Sequence, residues 1–282
     1  DALLARTVCM SFFDAWQDGE TVRIARGEAP LLISLPHDGV EIPSGIANVM
    51  TAAAHASPDT DWHVSSLYAF ALELGATLLR PRYSRYTIDL NRPRDGQPLY
   101  PGRSETGLCP TVMFDGAPIY RQGLAPSPAD ISERIERYWL PYHNALTEEL
   151  TRLRSLHANV VLWEGHSIIS HCPMFFEGVL PDYNLGTADG ASCDSAIATA
   201  IVAQLQQRGC SHVANGRFKG GYITRHYGAP ARGVHAVQME MAQSRYLDER
   251  NPHNFDAVLA APAVDDLKSL IAAALHEAAR LG

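Results

Sequence analysis

Two histidines each follow an apolar run that has the length and composition of a buried β-strand. His37 comes directly after "LLISLP", and His166 ends the run "VVLWEGH". Ligands of open α/β sheets bind just beyond the carboxyl ends of the strands, so two such histidines would suit a metal site. A catalytic zinc takes three protein ligands and keeps one position open for water. The alternative is two ordinary turn histidines, since the Pro, Asp and Gly around His37 also belong in turns.

The third ligand of such a site would be an imidazole or a carboxylate. Asp38 and Glu41 lie close to His37 in sequence, although Asp38 could be part of the turn alone. Asp59 and Asp61 lie in "SPDTDWHV", at the start of a predicted helix. One of these two aspartates could cap the helix while the other faces the site.

Two glutamates could handle protons or orient a ligand. Glu164 precedes His166 by two residues, and alternate residues of a strand share a face, so it could orient His166 or act as a base. Glu240 lies near the end of the alternating run "VHAVQMEMA". A carboxylate there is costly without a partner or a task, and taking a proton from metal-activated water is such a task. The alternative is a solvated glutamate at a strand end.

Cationic residues gather in two loop segments of an otherwise acidic chain. An arginine fork matches a carboxylate in two parallel hydrogen bonds, so these segments could form a pocket for a carboxylate substrate. The alternative is an ordinary solvated basic face. The residues are Arg82, Arg85, Asn91, Arg92 and Arg94 in the first segment, and Arg217, Lys219 and Arg225 in the second.

The elements that must position these residues alternate between strands and helices. Predicted strands are "LLIS", "ATLLRP", "YTID", "VVLWEGHS" and "VHAVQMEMA". Predicted helices span about 60–75, 127–157, 192–208 and 263–280. This order predicts an α/β sheet covered on both faces, in one domain over 1–282. Two Pro- and Gly-rich regions, 93–126 and 167–191, resist assignment, and long loops of this kind are often functional.

Composition and absent motifs narrow the class of protein. The net charge of −8 argues against nucleic acid or an anionic membrane as the main partner. No apolar run is long enough to span a membrane, and the first residues lack the order of a signal peptide. The five cysteines are scattered without a CxxC pair, which predicts reduced thiols in a cytoplasmic protein. No HExxH, GxGxxG, GxxxxGK[ST] or GxSxG motif occurs.

Several segments together resemble the N-formylglutamate amidohydrolase family. They are "SLPHDGVEIP", "DTDWHVSSLY", "SRYTIDLNRP", "WEGHSI", "NLGTADGASCD", "NGRFKGGYITRHYG" and "VQMEMAQSRYLDE". The resemblance implies a metal-dependent hydrolase that releases formate from N-formyl-L-glutamate in histidine degradation. It also implies a single-domain, three-layer α/β/α fold with a mixed, mostly parallel sheet, similar to zinc carboxypeptidases. One divalent metal is expected, zinc before cobalt, iron or manganese.

The resemblance also suggests a role for each candidate residue. His37 and His166 correspond to the first and last metal ligands. The carboxypeptidase-like HxxE pair is broken, because Val40 stands where Glu would be. We therefore expect Asp61 as the middle ligand, with Glu41 and Asp38 as alternatives. The remaining expectations are Glu240 as general base, Arg92 at the oxyanion, and Arg85, Asn91 and Arg225 at the substrate carboxylates.

Two other functions remain open at this point. One is an amidohydrolase of the same fold that cleaves another N-acyl amino acid or a short peptide. The other is a non-catalytic binding protein for acidic amino acids, in which the arginines bind the ligand without a metal. The sequence does not determine the oligomeric state.

Overall fold

A mixed eight-stranded sheet forms the centre of the computed structural model, which describes residues 16–281. The strand order is β1-β2-β4-β3-β5-β8-β6-β7. Strands β4, β3, β5 and β8 are mutually parallel, as are β6 and β7, and the other pairs are antiparallel. The strands are β1 Gln17–Asp18, β2 Val22–Ala25, β3 Leu31–Ser34, β4 Thr77–Pro81, β5 Val160–Ile168, β6 Tyr183–Gly186, β7 His212–Ala214 and β8 Val234–Ala242.

Helices connect the strands and cover both faces of the sheet. The α-helices are α1 Ser44–Ala47, α2 Val64–Leu67, α3 Pro128–Arg134, α4 Leu140–Leu156, α5 Ser195–Gln207, α6 Tyr222–Tyr227 and α7 Ala257–Arg280. A π-helical turn, Ile135–Trp139, joins α3 to α4 without a break. Short 3₁₀ turns are Ala53–Ala56, Ala69–Leu72, Ala188–Gly190, Pro230–Arg232 and Gln243–Arg245. Helix α3 begins at a capping box formed by Ser127 and Asp130, as its sequence predicts.

The alternation of side chains along the central strands separates two hydrophobic cores. Val161 and Trp163 of β5 pack on the face that carries α2, α5 and α7. Leu162 points to the opposite face, where it packs with Leu146 and Leu150 of α4. A sheet buried on both faces explains why these strands are continuous apolar runs. The predicted α/β fold with a mixed, mostly parallel sheet is confirmed.

Some predicted elements are wrong in detail. "YTID" forms a turn instead of a strand, because Asp89 accepts the Asn91 backbone N–H at 2.9 Å and Tyr86 donates to Asp59 at 2.6 Å. The predicted helix over 60–75 is shorter, being α2 followed by a 3₁₀ turn that ends before Gly75. Region 93–126 contains neither helix nor strand, as expected, whereas 167–191 includes β6.

The structure tests the remaining predictions, on membrane spans, the N-terminal segment and domain organisation, only in part. None of the helices between residues 16 and 281 is long and apolar enough to cross a membrane. The segment for which no signal peptide was expected lies outside the described residues, and so does Cys9. Organisation as one domain stays a prediction.

Candidate metal centre and active site

A cavity of about 560 Å³, its open mouth included, lies at the carboxyl ends of β3, β5 and β8. His37 follows β3, His166 lies in β5, and Glu240 lies in β8, where the register pairs it with His166. His166 and Glu240 are an even number of residues from Leu162 and its register partner Ala236, so their side chains lie on the same face of the sheet, the one covered by α4. β5 continues past His166 to Ile168. His37 and His166 are both buried.

His37, Asp61 and His166 form a compact cluster, which we call the metal-binding triad. One ligand atom from each residue lies within 4.8 Å of the other two. Nδ1 of His166 is 2.9 Å from Asp61 Oδ2, and Nδ1 of His37 is 3.7 Å from the same oxygen. The Asp61 backbone N–H donates to the His37 carbonyl at 3.2 Å, which fixes the loop beside the strand end. Two imidazoles and a carboxylate are the donor set of many catalytic zinc sites.

A carboxylate lies on the far ring nitrogen of each histidine in the triad. Asp89 Oδ1 is 2.7 Å from His37 Nε2, and Glu164 Oε1 is 2.7 Å from His166 Nε2. Thr224 donates to the other oxygen of Glu164 from its backbone N–H at 3.0 Å and from its hydroxyl. Such outer carboxylates fix the ring orientation and leave Nδ1 of each histidine for a metal. Glu164 therefore has the geometry of an orienting residue.

The ionisation states of Asp61 and His166 in the metal-binding triad favour the binding of a cation. Burial alone would raise the pKa of Asp61, but the charge of His37 and the hydrogen bonds from His166 hold it well below its usual range. Burial disfavours the charged form of His166, yet its hydrogen bonds to Asp61 and Glu164 raise its pKa above the usual value. The buried carboxylates thus hold a proton on an imidazole, in the position where a metal ion would replace it.

Glu240 lies in the cavity wall beside the triad. It is 7% exposed, and its carboxylate forms no hydrogen bond with any residue between 16 and 281. Burial raises its pKa to about 8; the charges of His166 and Arg85 oppose this shift, and those of Asp61 and Glu164 add to it. A buried carboxylate with a raised pKa and no structural partner is suited to proton transfer.

Arg85 and Asn91, two predicted substrate residues, line the cavity and also contact other groups of the site. Arg85 Nη2 is 2.9 Å from Asp89 Oδ2, and its buried Nε has no hydrogen-bond partner within the described chain. Asn91 accepts the Ile223 backbone N–H at 2.9 Å, and its Nδ2 is 3.1 Å from His166 Nε2. A Cβ atom on Gly221 would lie 2.3 Å from that Nδ2, so this position must be glycine.

The other arginines divide between the cavity and the surface. Arg92 lines the cavity and donates from Nε to the Thr106 carbonyl at 2.7 Å. Arg217 also lines it, with its guanidinium over the rings of Tyr100 and Phe175 at 5.4 Å. Arg225 is exposed, donates to the Gly220 carbonyl at 2.8 Å and does not line the cavity, and its contact with the substrate stays a prediction.

The alternative ligands lie in other interactions. Asp38 accepts Arg80 Nη1 at 2.6 Å and the Ser65 backbone N–H at 3.0 Å. Glu41 pairs with Arg82 at 2.8 Å. Asp59 bonds Tyr86 and the Phe114 backbone rather than capping α2. None of these three carboxylates belongs to the cluster that could hold a metal ion in residues 16–281.

Comparison with known proteins agrees with this architecture. Residues 29–247 match the sequence profile of the family described as "N-formylglutamate amidohydrolase". The chain is 48% identical over 251 residues to an N-formylglutamate deformylase of Pseudomonas putida, covering 89% of this chain and 94% of that protein. It is 50% identical over 242 residues to an N-formylglutamate deformylase of Pseudomonas aeruginosa, covering 86% and 91%.

Solved structures extend the comparison to the fold. The crystal structure of an N-formylglutamate amidohydrolase from Ralstonia eutropha JMP134 superposes with a TM-score of 0.77 at 26% identity, covering 92% of this chain and 97% of that one. The gene product Atu2144 from Agrobacterium tumefaciens has the same fold, with a TM-score of 0.67 at 18% identity over 90% and 96% of the two chains. By its sequence, its fold and the match over residues 29–247, the chain belongs to the N-formylglutamate amidohydrolase family.

Proposed function

We propose that this protein is a metal-dependent amidohydrolase that converts N-formyl-L-glutamate and water to formate and L-glutamate. The observation that carries the proposal is the metal-binding triad beside the buried carboxylate of Glu240, in one cavity. The names of the Pseudomonas relatives support the substrate. The triad supports metal dependence rather than a metal-free binding protein.

The donor set of the triad fits a single divalent ion, and we infer zinc as the first candidate. Nδ1 of His37, Nδ1 of His166 and a carboxylate oxygen of Asp61 would hold it. Such an ion lowers the pKa of a water molecule and polarises a carbonyl oxygen. Cobalt, iron and manganese accept the same ligands, so the metal found in the purified protein decides among them.

Glu240 would serve as the general base and then as the general acid. Its carboxylate accepts a proton from the attacking water and passes it to the amine of the leaving glutamate. Arg92, half-buried in the cavity wall, would stabilise the oxygen of the formyl group as it gains negative charge. Burial strengthens this electrostatic interaction, because little water screens it.

Arginines of the cavity would bind the substrate carboxylates. Arg217 is a stronger candidate than Arg225, because it lines the cavity and aromatic rings hold its guanidinium there. Arg85 also lines the cavity, and its guanidinium would contact a second substrate carboxylate there. Asn91, which also lines the cavity, would help to hold the same carboxylates.

The test is metal content and formate release on the same purified protein, before and after chelation. Formate released from N-formyl-L-glutamate, lost on chelation and restored by one divalent metal, would support the proposal. Turnover of acetyl- or succinyl-glutamate in preference to formyl-glutamate would keep the chemistry and change the substrate. Glutamate binding by a well-folded protein that takes up no metal and releases no formate would overturn the proposal.

A further inference from the structure

Three side chains of the α3–α4 helical segment donate hydrogen bonds to carbonyls of one short piece of the site. We call Arg134, Trp139 and His143 the helical clasp, and its target is segment 87–92. Arg134 Nη1 donates to Thr87 O at 3.0 Å, His143 Nε2 to Leu90 O at 2.9 Å, and Trp139 Nε1 to Arg92 O at 2.9 Å. All three donor residues are less than one-tenth exposed.

The π-helical turn explains why these three residues share a face. In a regular α-helix, residues five apart are separated by about 140° around the axis. The π turn Ile135–Trp139 widens the helix where it adjoins Arg134, so that Trp139 comes round to the same side. His143 lies four residues further, one α-helical turn beyond Trp139. The one additional residue in the π turn thus places all three donor side chains of the helical clasp on the side of the helix that faces segment 87–92.

His143 is held in the orientation that the clasp requires. Its ring stacks on Trp139 with centroids 3.7 Å apart. Its Nδ1 lies 2.9 Å from the hydroxyl of Tyr227, the last residue of α6. Burial lowers the pKa of His143 to about 3, so the ring is neutral and Nε2 carries the donated hydrogen. The clasp therefore connects α4, α6 and segment 87–92.

Segment 87–92 carries three of the side chains in and around the metal centre. Asp89 orients His37, Asn91 contacts His166, and Arg92 lines the cavity. The segment has no strand pairing of its own, so its backbone depends on bonds from other elements. Trp139 fixes the Arg92 carbonyl, and the Arg92 guanidinium lies in the cavity wall, where it donates to the Asn91 carbonyl and to Thr106.

We propose that Trp139 and His143 are positioning residues, which act on the reaction by fixing the backbone from which Arg92 reaches the cavity. This inference rests on the proposed function, because that function gives Arg92 its role at the reacting carbonyl. Trp139 and His143 do not line the cavity, so turnover would depend on residues beyond the cavity wall.

The first test is Trp139→Phe, which removes the indole N–H and keeps an aromatic ring. We expect kcat to fall about tenfold with KM within about twofold, since the loss of precise placement lowers rate more than binding. In a protein that already carries Arg92→Ala, adding Trp139→Phe should have no further effect on kcat. Additive losses in this double-mutant cycle would overturn the proposal.

Trp163→Phe is the matched control. It removes another buried indole hydrogen bond, 2.8 Å to the Tyr68 hydroxyl, in the core on the opposite face of the sheet. It should lower thermal stability to a similar extent and leave kcat unchanged. An equal fall of kcat in both variants would assign Trp139 a purely structural role.

His143 gives a second, independent measurement should Trp139→Phe fold poorly. His143→Leu should lower kcat, and His143→Gln, whose amide can still donate to the Leu90 carbonyl, should restore most of it. If the metal-loaded wild type released no formate, the proposed function would fail. The clasp would then be measured by amide hydrogen exchange, and exchange in 87–92 no faster in Trp139→Phe than in Trp163→Phe would overturn it.

Discussion

The buried carboxylate of Asp89 connects several residues of the site. Its two carboxylate oxygens bond His37 at 2.7 Å and Arg85 at 2.9 Å, and one of them also accepts the Asn91 backbone N–H. Burial alone would raise its pKa, but the charges of His37, Arg92 and Arg85 hold the pKa well below the usual range. Asp89 is therefore an anion that orients one ligand of the triad.

We predict that Asp89→Asn weakens metal binding by about 10- to 100-fold, because an amide orients His37 less strongly than a carboxylate. Competition with a chelator of known affinity measures this change. Circular dichroism checks that the variant is folded. Metal affinity equal to that of the wild type would remove Asp89 from the support of the triad.

We predict that Glu240→Gln keeps the metal and loses at least about 100-fold in kcat, the usual contribution of a positioned base. Metal content and formate release on one sample separate the two effects. Glu41→Gln is the control, since this half-buried carboxylate pairs with Arg82 outside the cavity and should change neither quantity. Near-normal turnover in Glu240→Gln would show that another group takes the proton.

The site residues that could be predicted from the sequence are polar residues within apolar segments. His37, His166 and Glu240 are polar groups near the ends of apolar strands, and the structure brings all three to one cavity. Asp89 was missed because "YTID" alternates like a strand, and its contact with His37 joins distant parts of the chain. Arg217 and Arg225 lie on either side of the turn at Gly220, where φ is +109°, and no local pattern reveals which of them lines the cavity.

At the scale of elements, strands within continuous apolar runs were predictable, and the short strands β6 and β7 were not. β5 and β8 are nine-residue runs with clear burial, whereas β6 has four residues and β7 has three. β6 and β7 lie outside any continuous apolar run, and they form because β8 and β6 offer a partner edge. The π turn between α3 and α4 was also not predictable, because such a turn depends on what the helix packs against.

The helical clasp leads us to predict a pH dependence of stability. The pKa of His143 is about 3 in the folded protein, below its unfolded value near 6.5, because burial disfavours the imidazolium. Between these two values the unfolded chain binds a proton that the folded protein does not. Stability therefore falls as pH drops below about 6.5, by at most about 1.4 kcal/mol per pH unit from this residue.

The comparison that isolates this contribution is urea unfolding of the wild type and His143→Gln at several pH values between 7 and 4. The difference in unfolding free energy between the two proteins should shift in favour of His143→Gln as the pH falls, because glutamine has no proton to bind. A difference that stays constant across this range would show that His143 does not lose a proton on folding.

At the scale of the whole molecule, metal binding should stabilise the folded state. The ligands of the triad come together only when β3, β5 and the loop before α2 are packed. An ion that binds only the folded protein stabilises it by about 2.7 kcal/mol at a free concentration 100 times its Kd. We predict a rise of roughly 5–10 °C in Tm when the chelated protein is reloaded.

His166→Ala is the control for this rise, because it removes one ligand of the triad. The variant should bind no metal at micromolar concentration, show no rise in Tm, and lack activity. A rise equal to that of the wild type would mean that the ion binds elsewhere on the protein.

The position of β8 in the sheet has a consequence for the way this protein becomes active. It is the last strand in the chain, yet it lies between β5 and β6, and it carries Glu240. A ribosome exposes all three residues of the triad long before it exposes the base. We therefore expect a chain that ends before β8 to lack the proposed base even where its triad is present, so that hydrolysis requires the strand that completes the sheet between β5 and β6.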